Sequence, residues 1–172
     1  MEAQVFAALK ERIGERHLGK RLRIQVNYSA RMFVRNDSFR NFHYENSSMF
    51  NTLVTLALKT TLSYGRGVKN ALNYRVWEHE FAMRGLPVAF DGVRILHLSD
   101  IHADGIPDEA MELCRLLATI EADICVITGD YRFRTHSSHQ VTVRIMAKIL
   151  GAIKAPMGIW GILGNHDFIV SV

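Results

Sequence analysis

The sequence predicts an α/β fold built on a βαβαβ unit. Two observations carry that prediction. Three short apolar runs, over 93–98, 123–128 and 157–163, alternate with segments of helical periodicity. Strand–helix–strand alternation of this kind implies parallel strands joined by crossover helices. Each run also ends directly in polar residues able to bind a ligand: Asp100 and His102, then Asp130, then Asn165, His166 and Asp167. In such sheets ligands gather beyond the carboxyl ends of the strands.

The elements follow in order. Residues 2–18 are expected to be helical, with Val5, Phe6, Leu9 and Ile13 forming an apolar stripe. Residues 20–47 read as irregular. They interleave Arg21, Arg23, Arg31, Arg35 and Arg40 with Tyr28, Phe33, Phe39, Phe42 and Tyr44. That mixture can bind single-stranded nucleic acid, but no recognisable module surrounds it. Aromatic anchoring of the segment onto a neighbouring domain is favoured, and no nucleic-acid partner is expected. Residues 49–64 suit a helix through Phe50, Leu53, Val54 and Ala57, ended by Gly65 and Gly67 and flanked by Arg66 and Lys69. Such a helix can lie on an anionic membrane surface or pack on the protein's own core.

Residues 74–83 have strand-like content, and Asp91-Gly92 is a favourable tight turn. Antiparallel pairing of 74–90 with 93–98 is therefore expected. After His102, Pro107, Asp108 and Glu109 set up a helix over 108–121, with Leu113, Leu116, Leu117 and Ile120 on one face. A second helix is expected over about 138–154, with Val141, Ile145, Ile149 and Ile153 aligned. His97 alternates with apolar neighbours and is expected in the interior, while His17, His43 and His79 read as surface or packing residues.

Composition narrows the function. Cys114 and Cys125 each sit in an apolar segment without metal-type spacing, which predicts buried thiols in a reducing compartment. No secretory leader and no apolar run of spanning length is visible. A cytoplasmic protein is expected, with packing of the 49–64 helix on the protein's own core favoured and peripheral membrane contact through 49–69 as the alternative. The charge is uneven: residues 1–90 carry 14 Lys/Arg against 7 Asp/Glu, and residues 91–172 carry 7 against 10. The acidic half holds the candidate ligands, while the basic half suits an anionic neighbour.

Carboxylates, an amide and imidazoles together suit Mn²⁺, Fe²⁺, Zn²⁺ or Mg²⁺. A carboxylate on the central strand can bridge two ions roughly 3.5–4 Å apart, as in two-metal hydrolases. Gly129 and Gly164, just before Asp130 and Asn165, allow a sharp turn or a close backbone approach. Arg132 and Arg134 follow the central carboxylate and can contact a substrate phosphate or line a solvated loop.

Asp100-Ile101-His102, Gly129-Asp130 and Gly164-Asn165-His166-Asp167 resemble the first three motifs of the calcineurin-like metallophosphoesterase superfamily. Their order and their separations, 28 residues from His102 to Asp130 and 35 from there to Asn165, also resemble the family. The resemblance covers residues 93–167 and implies half of a metallophosphoesterase-type sheet sandwich flanked by helices. It divides the chain into a basic, mainly helical extension (1–73) and a partial catalytic domain (74–172). It implies that Asp100 and His102 bind one metal, Asp130 bridges two, and Asn165 binds the second. His166 would act over the scissile phosphate, oriented by Asp167.

The implied activity is metal-dependent hydrolysis of a phosphomonoester, phosphodiester or pyrophosphate bond. A lipid-linked substrate is implied by analogy with members that resemble UDP-diacylglucosamine pyrophosphatases. The family's later histidines, including a Gly-His-x-His segment, have no counterpart in these 172 residues. His136 and His139 stand in the wrong place in the family order to substitute for them. A piece of a longer enzyme is expected, with apolar sheet surface left uncovered. The competing expectations are a non-catalytic metal- or phosphate-binding module and a nucleic-acid-binding extension.

Overall fold

The computed structural model describes residues 3–33, 48–135 and 138–167. Helices α1 (Ala3–Ile13), α2 (Glu15–Phe33), α3 (Ser48–Thr60) and α4 (Tyr64–Ala71) precede the sheet. The βαβαβ unit follows as β1 (Ile95–Leu98), α5 (Met111–Leu117), β2 (Ile124–Ile127), α6 (Gln140–Ala152) and β3 (Ile159–Gly161). The three strands are parallel and run in the order β1-β2-β3, with Leu96 beside Cys125 and Cys125 beside Ile159. The predicted α/β architecture is present.

Sequential strand order with crossovers of one hand puts both helices on the same face of the sheet. Leu117 of α5, Cys125 and Ile127 of β2, and Ile145, Met146 and Ile149 of α6 are buried together there, with Leu96 and Leu98 packed against them. Val141 remains 43% exposed, and the buried face of α6 begins instead at Thr142, which is 5% exposed. Strand side chains alternate, so the opposite face carries Ile95, His97, Val126 and Trp160. Ile95 is 62% exposed and Trp160 63% exposed. The expected uncovered apolar face is present among the described residues. His97 belongs to it: contrary to expectation it is exposed, and Nε2 meets Thr128 Oγ1 at 3.0 Å.

Several boundaries differ for identifiable reasons. Gly14, at φ +77°, splits the predicted first helix into α1 and α2, and α2 continues through part of the segment read as irregular. Residues 34–47, with Arg35, Arg40, Phe39, Phe42, His43 and Tyr44, lie outside the described residues. Gly65 and Gly67 do not end a helix; they lie inside α4. The break falls at Leu62, which adopts φ +56° while Ser63 N donates to Leu58 O and Leu62 N to Lys59 O. That is a Schellman closure with leucine in the usual glycine position. Helix α5 starts at Met111 rather than at 108. The Asp108 carboxylate accepts from Ala110 N at 3.1 Å and Glu112 N at 2.8 Å, holding a turn where a first helical turn was expected.

The predicted antiparallel pairing of 74–90 with β1 is absent among the described residues. β1 pairs only with β2, and a short 3₁₀ turn, Val88–Phe90, occupies the approach. The Asp91-Gly92 turn forms, with Gly92 at φ +73°, but closes no hairpin. Trp77 and Phe81 are each 75% exposed and Val88 is 90% exposed. Strand propensity mostly measures burial against a neighbouring face, and Trp77, Phe81 and Val88 meet no such face among the described residues.

Candidate functional site

The three polar clusters converge at the carboxyl ends of the strands. Their centre is the loop 130–134 after β2, whose backbone is hydrogen-bonded almost group by group. Two carboxylates accept five consecutive amides. Asp167 takes Asp130 N at 2.7 Å, Tyr131 N at 2.9 Å and Arg132 N at 3.3 Å. Asp104 takes Phe133 N at 2.5 Å and Arg134 N at 3.0 Å. The carbonyls are used as well: Asp130 O accepts His102 N, and Tyr131 O accepts Ala103 N. Asp104 arrives from the β1 loop and Asp167 from the β3 loop, so all three loops form one fabric.

Backbone contact tightens it further. A Cβ on Gly129 would lie 2.2 Å from Gly164 N, and one on Gly164 would lie 2.0 Å from Asp130 Oδ1. Neither position admits a side chain, which is the close approach expected of these glycines. Asp100, His102 and Asp130 all adopt left-handed backbone, at φ +51°, +46° and +54°. Such angles are uncommon for residues other than glycine, and aspartate and histidine tolerate them better than most. The hydrogen-bonded loops hold the three ligand candidates in this conformation.

One ligand atom from each of Asp100, His102 and Asp130 lies within 4.8 Å of the others. His102 Nδ1 is 2.7 Å from Arg132 O, and a carbonyl only accepts, so Nδ1 carries the proton. Nε2 therefore keeps the lone pair a metal requires. Two carboxylates and an imidazole so oriented fit a hard-to-borderline divalent cation.

His166 stacks edge-on to His102, with ring centroids 5.0 Å apart. Its amide donates to Asp130 Oδ1 at 2.8 Å and its Nδ1 to Phe133 O at 3.0 Å. The Asp167 carboxylate thus contacts backbone amides, including Gly164 N at 2.7 Å, and the Phe133 carbonyl orients the His166 ring. Asn165 is exposed on the same turn. Arg132 is buried and Arg134 exposed. His139 is exposed at the start of α6 and outside the ligand group, and His136 lies outside the described residues.

Sequence reading missed Asp104 and the Phe133 carbonyl. Asp104 stands two residues after His102, as His102 does after Asp100, and that repeat was the available signal. Burial raises the Tyr131 hydroxyl above its ordinary pKa, with the Asp167 carboxylate adding to the effect. Cys125 is buried and Cys114 half-buried, both as free thiols, and burial pushes both upward.

Strand-end oxygen and nitrogen donors on a parallel sheet make a candidate divalent-metal site. Residues 93–171 match the model of the calcineurin-like phosphoesterase family. The chain is 34% identical over 86 residues to the uncharacterized metallophosphoesterase YkoQ of Bacillus subtilis, covering 50% of this chain and 31% of that protein. It is 32% identical to the UDP-2,3-diacylglucosamine pyrophosphatase LpxG of Chlamydia muridarum, covering 45% of this chain and 23% of that one. It is 27% identical to the transmembrane protein with metallophosphoesterase domain of Danio rerio, covering 68% and 26%. The matches therefore span less than a third of these relatives' own lengths. No solved structure matches the chain.

Proposed function

We propose that this chain supplies the first three ligand clusters of a metal-dependent phosphoesterase with a dinuclear centre. The observation that carries the reading is the Asp100–His102–Asp130 group, closed to within 4.8 Å at the ends of two parallel strands. Asp100, His102 and Asp130 would hold one ion, with Asp130 and Asn165 on the second. Bound divalent ions of the Mn, Fe, Zn or Mg type neutralise phosphate charge and activate water. The protein's own part is orientation and proton transfer. His166, with Nδ1 committed to Phe133 O, offers Nε2 to the leaving oxygen as acid or electrostatic stabiliser. Asp167 holds the backbone on which Asp130 and Gly164 sit, and so sets His166 indirectly. Arg134, the exposed arginine of the pair, is the one we assign to a substrate phosphate, whereas burial keeps Arg132 a loop residue.

The substrate class is a phosphomonoester, phosphodiester or pyrophosphate, and a lipid-linked one is favoured. Support comes from similarity to a pyrophosphatase named for a diacylated sugar nucleotide and from the extension 1–73. Within 49–69, Met49 is 73% exposed and Leu53 and Leu56 each 57% exposed, beside Lys59, Arg66 and Lys69. Apolar side chains flanked by basic ones match an anionic lipid surface. No helix of the described residues is long and apolar enough to cross a membrane. A protein on the cytoplasmic face, peripheral to the bilayer, is the arrangement we assign.

Calorimetric titration of the chain with Mn²⁺ tests this. Asp130→Asn should weaken binding by more than about 100-fold, because ligands matter more than their supporting partners. His166→Ala should retain metal and, in a chain that hydrolyses a chromogenic phosphodiester, lose rate. Mn²⁺ binding unchanged in Asp130→Asn would sink the bridging role.

A further inference from the structure

We infer that Arg21, in the N-terminal helix α2, is a positioning residue for the loop that carries Asn165 and His166. This rests on the metal-centre reading for its functional consequence, though not for its geometry. Arg21 Nη1 donates to Gly164 O and Nη2 to Leu163 O, across 143 and 142 residues of chain. A planar guanidinium can engage two neighbouring carbonyls at once, which an ammonium on a flexible stem cannot do as well.

The attachment has a foundation on the helix. Leu18 is 2% exposed and Gln25 is 8% exposed, and Arg21 and Leu22 between them are half-buried. These positions follow i, i+3, i+4 and i+7, so one stripe of α2 is covered. Arg21 is therefore presented from a docked face rather than from a solvated one. Its charge, read from the sequence as part of a basic segment facing an anionic partner, is used inside the molecule.

What Arg21 grips matters most. Gly164 donates its amide to Asp167 Oδ2 at 2.7 Å, and its α-carbon lies against Asp130. Arg21 takes the carbonyl side of the same residue, so both polar groups of Gly164 are held immediately before Asn165. The extension thereby reaches the metal-ligand loop directly. Anything that shifts α2 is transmitted to Asn165 and His166 through two hydrogen bonds.

Amide hydrogen exchange on the 172-residue chain tests this, with Arg21→Met and Arg21→Lys as variants. Methionine keeps an apolar stem but removes every donor, whereas lysine retains the charge. In the metal-free chain, Arg21→Met should speed exchange of the Gly164 and His166 amides about tenfold, the scale expected on losing charged hydrogen bonds from a local opening unit. Arg21→Lys should fall between that and the wild type, and the Ile145 and Ile149 amides in α6 should not change. Exchange at Gly164 and His166 within about twofold of wild type in Arg21→Met overturns the proposal. So does an equal rise at Ile145 and Ile149, which marks general loosening. With Mn²⁺ as the probe, Arg21→Met should bind about tenfold more weakly, in the range for partners that support ligands. A wild-type chain that binds no Mn²⁺ would remove the metal reading, while the exchange result still decides the role of Arg21.

Discussion

Residues 48–90 and residues 93–167 are built on opposite plans. The first stretch is rich in apolar side chains and keeps them outside: α4 has no buried residue, and Leu62 and Val88 are each 90% exposed. The second contains the core cluster and a loop region in which nearly every backbone group has a defined partner. Apolar content alone does not make a core. A core needs a facing layer, which α5 and α6 provide for one face of the sheet and nothing described provides for 48–90.

The second region is tightest around Gly164. Gly164→Ala would put a methyl group 2.0 Å from Asp130 Oδ1 and 2.3 Å from Asp130 N. Relief requires moving backbone, so we expect a loss of at least about 3 kcal/mol in denaturant unfolding, together with lost Mn²⁺ affinity. Wild-type stability in this variant would mean that Gly164 and Asp130 are not in close contact.

A paired substitution sharpens the contrast between the regions. Ile149→Ala empties a fully buried position in α6 and should cost about 2–5 kcal/mol. Leu53→Ala, at a 57% exposed site in α3, should stay within about 0.5 kcal/mol. The same α3 variant should lose binding to vesicles containing phosphatidylglycerol, measured by co-sedimentation, if 49–69 meets an anionic bilayer. Equal binding by wild type and variant would leave that surface without its proposed partner.

The smallest expected effect lies at the surface of the second region. Glu109 accepts Arg144 Nη1 at 2.6 Å and Nη2 at 2.8 Å, with Lys148 Nζ at 2.9 Å. The Arg144 hydrogen bond foremost, then that of Lys148, lowers its pKa from 4.5 to about 2. A carboxylate depressed in the folded state contributes stability above its ordinary pKa and loses it as pH falls through the folded value. The stability difference between wild type and Glu109→Gln should therefore shrink from about pH 4.5 down to 2. The pair is half-exposed and screened by solvent, so the effect is small and should weaken further with salt. A difference independent of pH would show that the carboxylate is not engaged.

The three-strand βαβαβ unit and the polar residues standing at its strand ends were visible in the sequence alone. A buried strand must be apolar along its length, and its end must turn, so the pattern of 93–98, 123–128 and 157–163 and the residues just beyond each run are visible locally. Asp100, His102, Asp130, Asn165 and His166 were legible for that reason. Only the tertiary structure decided how they are held. The two carboxylates that cage loop 130–134, the Phe133 carbonyl at His166 and the Arg21 grip on Gly164 all join residues 28 or more positions apart. Such contacts leave no periodicity in the chain. The misplaced strand at 74–83 has the same cause in reverse: its composition favours pairing, but pairing depends on a partner face that no local pattern records.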